Sequence, residues 1–135
     1  MSYPGDPHLV LVGKAHWAWS RLEWRMINLA TAEKDPTKRS AALALIATKT
    51  GRPIVQDLLA SITVPQDLGD SLEALVSRRN TLAHARPATT PDGFQRLYRW
   101  DPERQGVSAE FLTDDWLISF AADCEQASRK LQECS

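Results

Sequence analysis

Apolar residues recur at helical spacing along most of this chain and switch to alternation in one place. From about His8 to Lys34, Leu11, Ala15, Ala18, Leu22, Met26 and Leu29 form one stripe flanked by Val12 and Trp19, and Asp35-Pro36 supplies a stop. Trp17 and Trp24, seven residues apart, project with Val10 from nearly the opposite side. A helix that is apolar on two faces needs two partners. One is its own bundle; the other is either a second chain or a short later element. Before this helix, Met1 to Pro7 carry two prolines and a glycine and read as a loose arm.

Lys38 to Lys49 predicts a short alanine-rich helix stopped at Thr50-Gly51, and Pro53 suits the first turn of the next, through Ile54, Val55, Leu58, Leu59 and Ile62. Alternatively the two form one helix kinked at Gly51-Pro53. Val64-Pro65 closes the segment. Asp67 is the expected N-cap of a further helix with Leu68, Leu72, Leu75, Val76, Leu82 and Ala83 at helical spacing, ended by Pro87 because the residue before proline is pushed out of the α region.

The alternation follows. Phe94, Arg96, Tyr98 and Trp100 interleave with Gln95, Leu97 and Arg99, and Val107 to Leu112 pairs with them across Asp101 to Gly106 as a small hairpin. Thr113 or Asp114 then caps a last helix to about Glu133, with a stripe of Trp116, Leu117, Phe120, Ala121, Cys124, Ala127 and Leu131. The predicted fold is therefore all-α: an up-and-down bundle of four to five helices with a small β-hairpin before the last one.

Composition narrows the functions this fold can serve. A chain of 135 residues is one domain with room for a core. A formal charge of −1 argues against a broad electrostatic surface for nucleic acid, so any RNA contact must be local. Cys124 and Cys134 are about 15 Å apart along one helix, too far to bridge, and reduced thiols point to the cytoplasm. Three scattered histidines without CxxC or HxxxH spacing provide no metal site, and no cofactor motif appears. No charged-then-apolar leader opens the chain and no apolar run could span a bilayer, so neither export nor a membrane is expected.

The candidate chemistry is concentrated in Arg78-Arg79-Asn80-Thr81-Leu82-Ala83-His84-Ala85-Arg86-Pro87. At about 100° per residue, Arg79 falls in the middle of the apolar stripe, an expensive place for a guanidinium, while Glu73, Ser77, Asn80 and His84 line a second, polar stripe. One reading is structural: an arginine at the core edge paired with a carboxylate such as Glu73 or Asp70, and a histidine hydrogen-bonded near a helix end. The other is catalytic. His84 can serve as general acid or base. Arg79 stays charged and grips two phosphate oxygens, and Asn80 one turn before His84 can orient the imidazole or bind phosphate. Arg96, Arg99 and Arg104 with Tyr98 and Trp100 form the one basic and aromatic cluster visible in the sequence, either a surface for bases and phosphates or a lid with solvated arginines.

Arg79-Asn80-x-x-x-His84 resembles the R-x4-6-H signature of HEPN (higher eukaryotes and prokaryotes nucleotide-binding) domains, in the form with a polar residue directly after the arginine. The likeness extends over roughly residues 8 to 134 through the helical architecture, although only the motif is specific. Many members of that family are metal-independent ribonucleases that dimerise with two motifs facing each other. The resemblance thus implies a homodimer that cleaves RNA and not DNA, with Arg79 and His84 catalytic and Asn80, Arg78 and Arg86 binding or orienting substrate. It equally accommodates a non-catalytic dimeric interaction module, the partner of a protein antitoxin, regulator or nucleotidyltransferase, because function resides in sites rather than folds.

Overall fold

A computed structural model describes residues 6–32, 35–46, 49, 51–99 and 110–134. Among these lie α1 (Asp6–Thr31), α2 (Pro36–Ile46), α3 (Arg52–Ser61), α4 (Gln66–His84), β1 (Arg86–Thr89), β2 (Gln95–Arg99), β3 (Glu110–Leu112) and α5 (Asp114–Glu133). The chain is a helical bundle with a small antiparallel sheet, as the periodicity predicts.

The core is built from the predicted stripes. Ala15, Ala18, Trp19, Leu22 and Met26 of α1 meet Ile54, Val55 and Leu58 of α3, Leu72 and Val76 of α4, and Leu117, Phe120 and Cys124 of α5. Helix α5 packs most extensively on α1. Two side-chain contacts fix their direction: His8 Nδ1 lies 2.7 Å from Asp114 Oδ1, and Arg25 Nε donates to Ser128 Oγ at 2.9 Å. Both N-terminal halves and both C-terminal halves are thus matched, so α1 and α5 run parallel. Helix α4 runs the other way, with Arg78 bonded to Asp123 while Leu68 shares a groove with Lys130.

Several boundaries differ from expectation for local reasons. Helix α1 begins at Asp6 rather than His8, because Pro7 in a first turn gives up only an N–H that has no helical partner; residues 1–5 of the expected arm lie outside the described residues. Helix α4 begins at Gln66 after Pro65 and has no side-chain cap. Asp67, the expected cap, sits in the first turn, where its charge complements the helix dipole. Helix α3 is separate from α2, entered through Gly51 at φ 72°, a left-handed conformation that favours glycine. Gly51 N donates to Glu23 Oε2 at 3.1 Å, and the same oxygen accepts from Trp19 Nε1 at 3.0 Å.

The sheet has three strands, in the order β1-β2-β3. Pairing of β2 with β3 follows the expected hairpin, Leu97 opposite Leu112 and Tyr98 opposite Phe111; Trp100, Arg104 and the Val107 end of that hairpin lie outside the described residues. Strand β1 was not expected, because Pro87 lies within it. Proline is tolerated there because β1 is an edge strand, with Pro87 opposite Leu97. Its turn into β2 is closed by Gly93 at φ 91°, whose N–H donates to Thr90 O at 2.9 Å. Thr90 also holds the Asp92 carboxyl below its ordinary range by donating its hydroxyl, helped by the Asp92 backbone N–H. At the other end of the sheet, Thr113 caps α5, its Oγ1 accepting from Trp116 N at 3.1 Å. None of the described helices is long and apolar enough to cross a membrane.

Candidate active site

The last two turns of α4 carry Arg78, Arg79, Asn80 and His84, and the chain then turns directly into β1. Ala85, the C-cap, is extended at φ −71° and ψ 148°, and its N–H closes the helix on Leu82 O at 3.3 Å. Leu82 and Ala85 are buried. The α helix thus continues through His84. Arg79 and His84 are consequently separated by about 140° of rotation and about 7.5 Å of rise.

Arg79 is half-buried rather than central to the core, and Ala83, expected in the same stripe, is exposed. At this end β2 packs against α4, with Leu97 half-buried against the core cluster. The apolar contact therefore turns toward Leu82 and leaves the Arg79 side at the margin. Arg79 Nη1 donates to Asn80 Oδ1 at 3.3 Å. Neither carboxylate considered as its partner reaches it: Glu73 Oε2 is 3.8 Å from Arg52 Nε, and Asp70 Oδ1 accepts from Gln66 Nε2 at 2.9 Å. Asn80 and His84 are exposed. No described carboxylate forms an ion pair with Arg79 or His84.

The two flanking arginines separate. Arg86 is exposed in β1, one residue beyond the helix cap. Arg78 is engaged: Nη1 donates to Asp123 Oδ2 at 2.7 Å, and its guanidinium lies over the Trp116 ring at 5.8 Å and the Phe120 ring at 5.3 Å. That environment ties α4 to α5 and leaves Arg78 a scaffold contact rather than an open phosphate ligand. In β2, Arg96 stacks over Phe94 at 5.4 Å, and Tyr98 meets Phe111 edge-on at 4.8 Å.

The second apolar face of α1 is exposed, with Trp17 69% and Trp24 56% exposed alongside Val10 and Leu9. No described element covers the two indoles. The β2 cluster is also not the sole basic and aromatic gathering: Arg21, Trp24 and Arg25 of α1 come together with Arg129 of α5. Its sequence signal was present as a basic, an aromatic and a basic residue at i, i+3 and i+4, but nothing in the sequence places Arg129 beside them. The pairing of buried His8 with half-exposed Asp114 had no sequence signal, since its members are 106 positions apart. Compared with protein-family models, with curated proteins and with solved structures, the chain matches none.

Proposed function

We propose that the chain is a HEPN-like, metal-independent RNA endonuclease working as a homodimer in the cytoplasm. The observation that carries this reading is the state of the motif pair. Arg79 and His84 end a regular helix with no described acid paired to either, Arg79 is positioned by Asn80, and the nearby carboxylates are occupied elsewhere. A structural arginine at the core margin would be expected to hold a carboxylate.

In this mechanism one histidine accepts the proton of a ribose 2′-hydroxyl as its oxygen attacks the adjacent phosphorus. The bond from phosphorus to the 5′-oxygen breaks, and a second acid protonates the departing oxygen. The products are a 2′,3′-cyclic phosphate and a 5′-hydroxyl. Arg79 stabilises the charge gathering on the phosphate oxygens. Because Arg79 and His84 diverge on one helix, a single phosphate is better served by Arg79 of one chain and His84 of the other, and Val10 and Trp17 offer apolar surface for the second chain.

The exposed Trp17 also favours the second reading, a non-catalytic dimeric module facing an antitoxin or other protein partner. One experiment separates the two. Purified protein is incubated with structured and unstructured RNA in excess chelator, beside the His84→Ala protein and a DNA control. Cleavage of RNA alone, ending in cyclic phosphate and absent in His84→Ala, is expected. Cleavage that stops in chelator, attacks DNA equally or survives His84→Ala would overturn the nuclease reading.

A further inference from the structure

With 16 Lys and Arg against 17 Asp and Glu in the whole chain, a place where arginines gather without acid partners is not background. Arg21 and Arg25, one turn apart on α1, and Arg129 on α5 border a cleft of about 190 Å³ between the two helices. Glu125 is the one carboxylate among its described lining residues, and none of the three arginines forms an ion pair with a described acid. Arg25 is held in place by its Nε bond to Ser128 Oγ, and its terminal nitrogens make no hydrogen bond to a described residue.

The cleft continues into a pocket of about 310 Å³ that shares Arg21, Arg25 and Ser128 and adds Trp24 and Asn28. Asn28 is fixed on both sides, donating from Nδ2 to Trp24 O at 2.9 Å and accepting from Arg39 Nη2 at 3.2 Å. The Trp24 indole at this rim is 56% exposed. A simple anion would use the guanidiniums and leave the indole idle; an apolar ligand would do the reverse. A nucleotide unit uses both, with phosphate on the arginines and base on the ring. Bases in a duplex are stacked on each other and cannot reach an indole, so the strand must be single.

We propose that this cleft binds a single-stranded RNA segment, its phosphates on Arg21, Arg25 and Arg129 and a base stacked on Trp24. The choice of RNA rests on the ribonuclease reading; the grip on phosphate and base does not. The cleft lies toward the C-terminal end of α5, whereas His84 lies beyond Arg78 toward its N-terminal end. Six residues separate Arg78 from His84, and six separate Asp123 from Arg129. At about 1.5 Å per residue, cleft and motif are on the order of 18 Å apart along the bundle. A strand reaching both must therefore span several nucleotides, and the cleft holds substrate away from the scissile bond.

The test uses the whole protein and a fluorescein-labelled 12-mer of 2′-O-methyl-uridine, which has no free 2′-hydroxyl nucleophile and so reports binding alone. Fluorescence anisotropy should show binding at low salt. The Arg21→Ala/Arg129→Ala protein should bind at least about 10-fold more weakly, with the slope of log affinity against log salt shallower by about 1.4, near 0.7 per lost phosphate contact. Arg21→Lys/Arg129→Lys should restore that slope. Trp24→Ala should weaken binding by about 5- to 100-fold with the slope unchanged and with the mass by light scattering unchanged. Circular dichroism melting confirms that each variant is folded. The proposal is overturned if wild type does not bind, if the double alanine variant binds equally, or if a duplex competes as well as the single strand. It is equally overturned if polyglutamate displaces the oligonucleotide as well as unlabelled RNA does, which would assign the cleft to an acidic protein. A Trp24→Ala protein of altered mass would place the indole in a subunit contact and overturn the stacking role. Binding without any RNA cleavage leaves the cleft standing and removes the ribonuclease reading; cleavage with arginine-independent binding does the opposite.

Discussion

Arg78 and Asp123 form a 2.7 Å ion pair that joins α4 to α5, while the next residue, Arg79, meets no described acid. The pair is partly exposed, so solvent screens it, and the stacking of Arg78 on Trp116 and Phe120 adds to the contact. Arg78→Ala should cost about 1 kcal/mol of stability in urea unfolding, whereas Arg79→Ala should stay within about 0.5 kcal/mol of wild type. Equal losses would mean that Arg79 is also a scaffold residue.

Asp114 supports a histidine that is only 2% exposed and whose Nε2 has no hydrogen-bond partner among the described residues. Removing the carboxylate leaves Nδ1 of this histidine, like Nε2, without a described protein partner. Asp114→Ala should therefore destabilise the protein by about 1 to 3 kcal/mol, more than Asp115→Ala one position on. Matching melting curves for the two variants would show that the His8 contact contributes nothing.

Light scattering at micromolar concentration should give about twice the 15.1 kDa chain mass. Trp17→Glu places a charge on the most exposed of the described large apolar side chains and should return the mass to that of one chain. If the wild type is a monomer, both the dimer and a site composed from two chains are lost.

The angle between Arg79 and His84 makes a prediction about pairing. The Arg79→Ala and His84→Ala homodimers should each lose on the order of 10²- to 10⁴-fold in cleavage rate. Mixing them after partial unfolding gives heterodimers with one Arg79 and one His84 on opposite chains, which should recover measurable activity. A heterodimer of wild type with the double mutant keeps the pair on one chain and should recover less. Equal recovery would refute the site shared across chains without touching the ribonuclease chemistry.

Burial pushes the Cys124 thiol up to about 12, with Asp123 and Glu125 adding to the rise and Arg78 opposing it. In native protein, iodoacetamide should label Cys134 well before Cys124, as mass spectrometry of the peptides would reveal. The sign of the pH dependence follows from the raised value: the neutral buried thiol favours the folded state fully below the ordinary value of 9.0, and this contribution falls as pH rises toward about 12. At about pH 10.5 the wild type should have lost about 1 to 2 kcal/mol more than Cys124→Ala, each relative to its own stability at neutral pH. Parallel losses would show that the thiol is not the group responsible.

Much of the architecture was legible because it depends on period alone. The stripe from Leu11 to Leu29, the Leu68 to Val76 face and the Leu117 to Leu131 face are helical patterns long enough to exclude a strand, and the packing buries or half-buries each. The second apolar face of α1 was legible in the same way, from Trp17 and Trp24 seven residues apart, but its exposure was not. Positions where two local signals competed were not. Pro87 argued against a strand, yet an edge position accepts it; Asp67 looked like a cap, yet the helix began one residue earlier. Arg78 and Arg79 are indistinguishable as letters, and only the approach of Asp123, Trp116 and Phe120 from α5 makes one a structural contact and leaves the other without an acid partner. The same holds for Arg129, which meets Arg21 and Arg25 only because α1 and α5 run side by side in the same direction. Residues 103 positions apart can be brought together by packing, and no local periodicity records that distance.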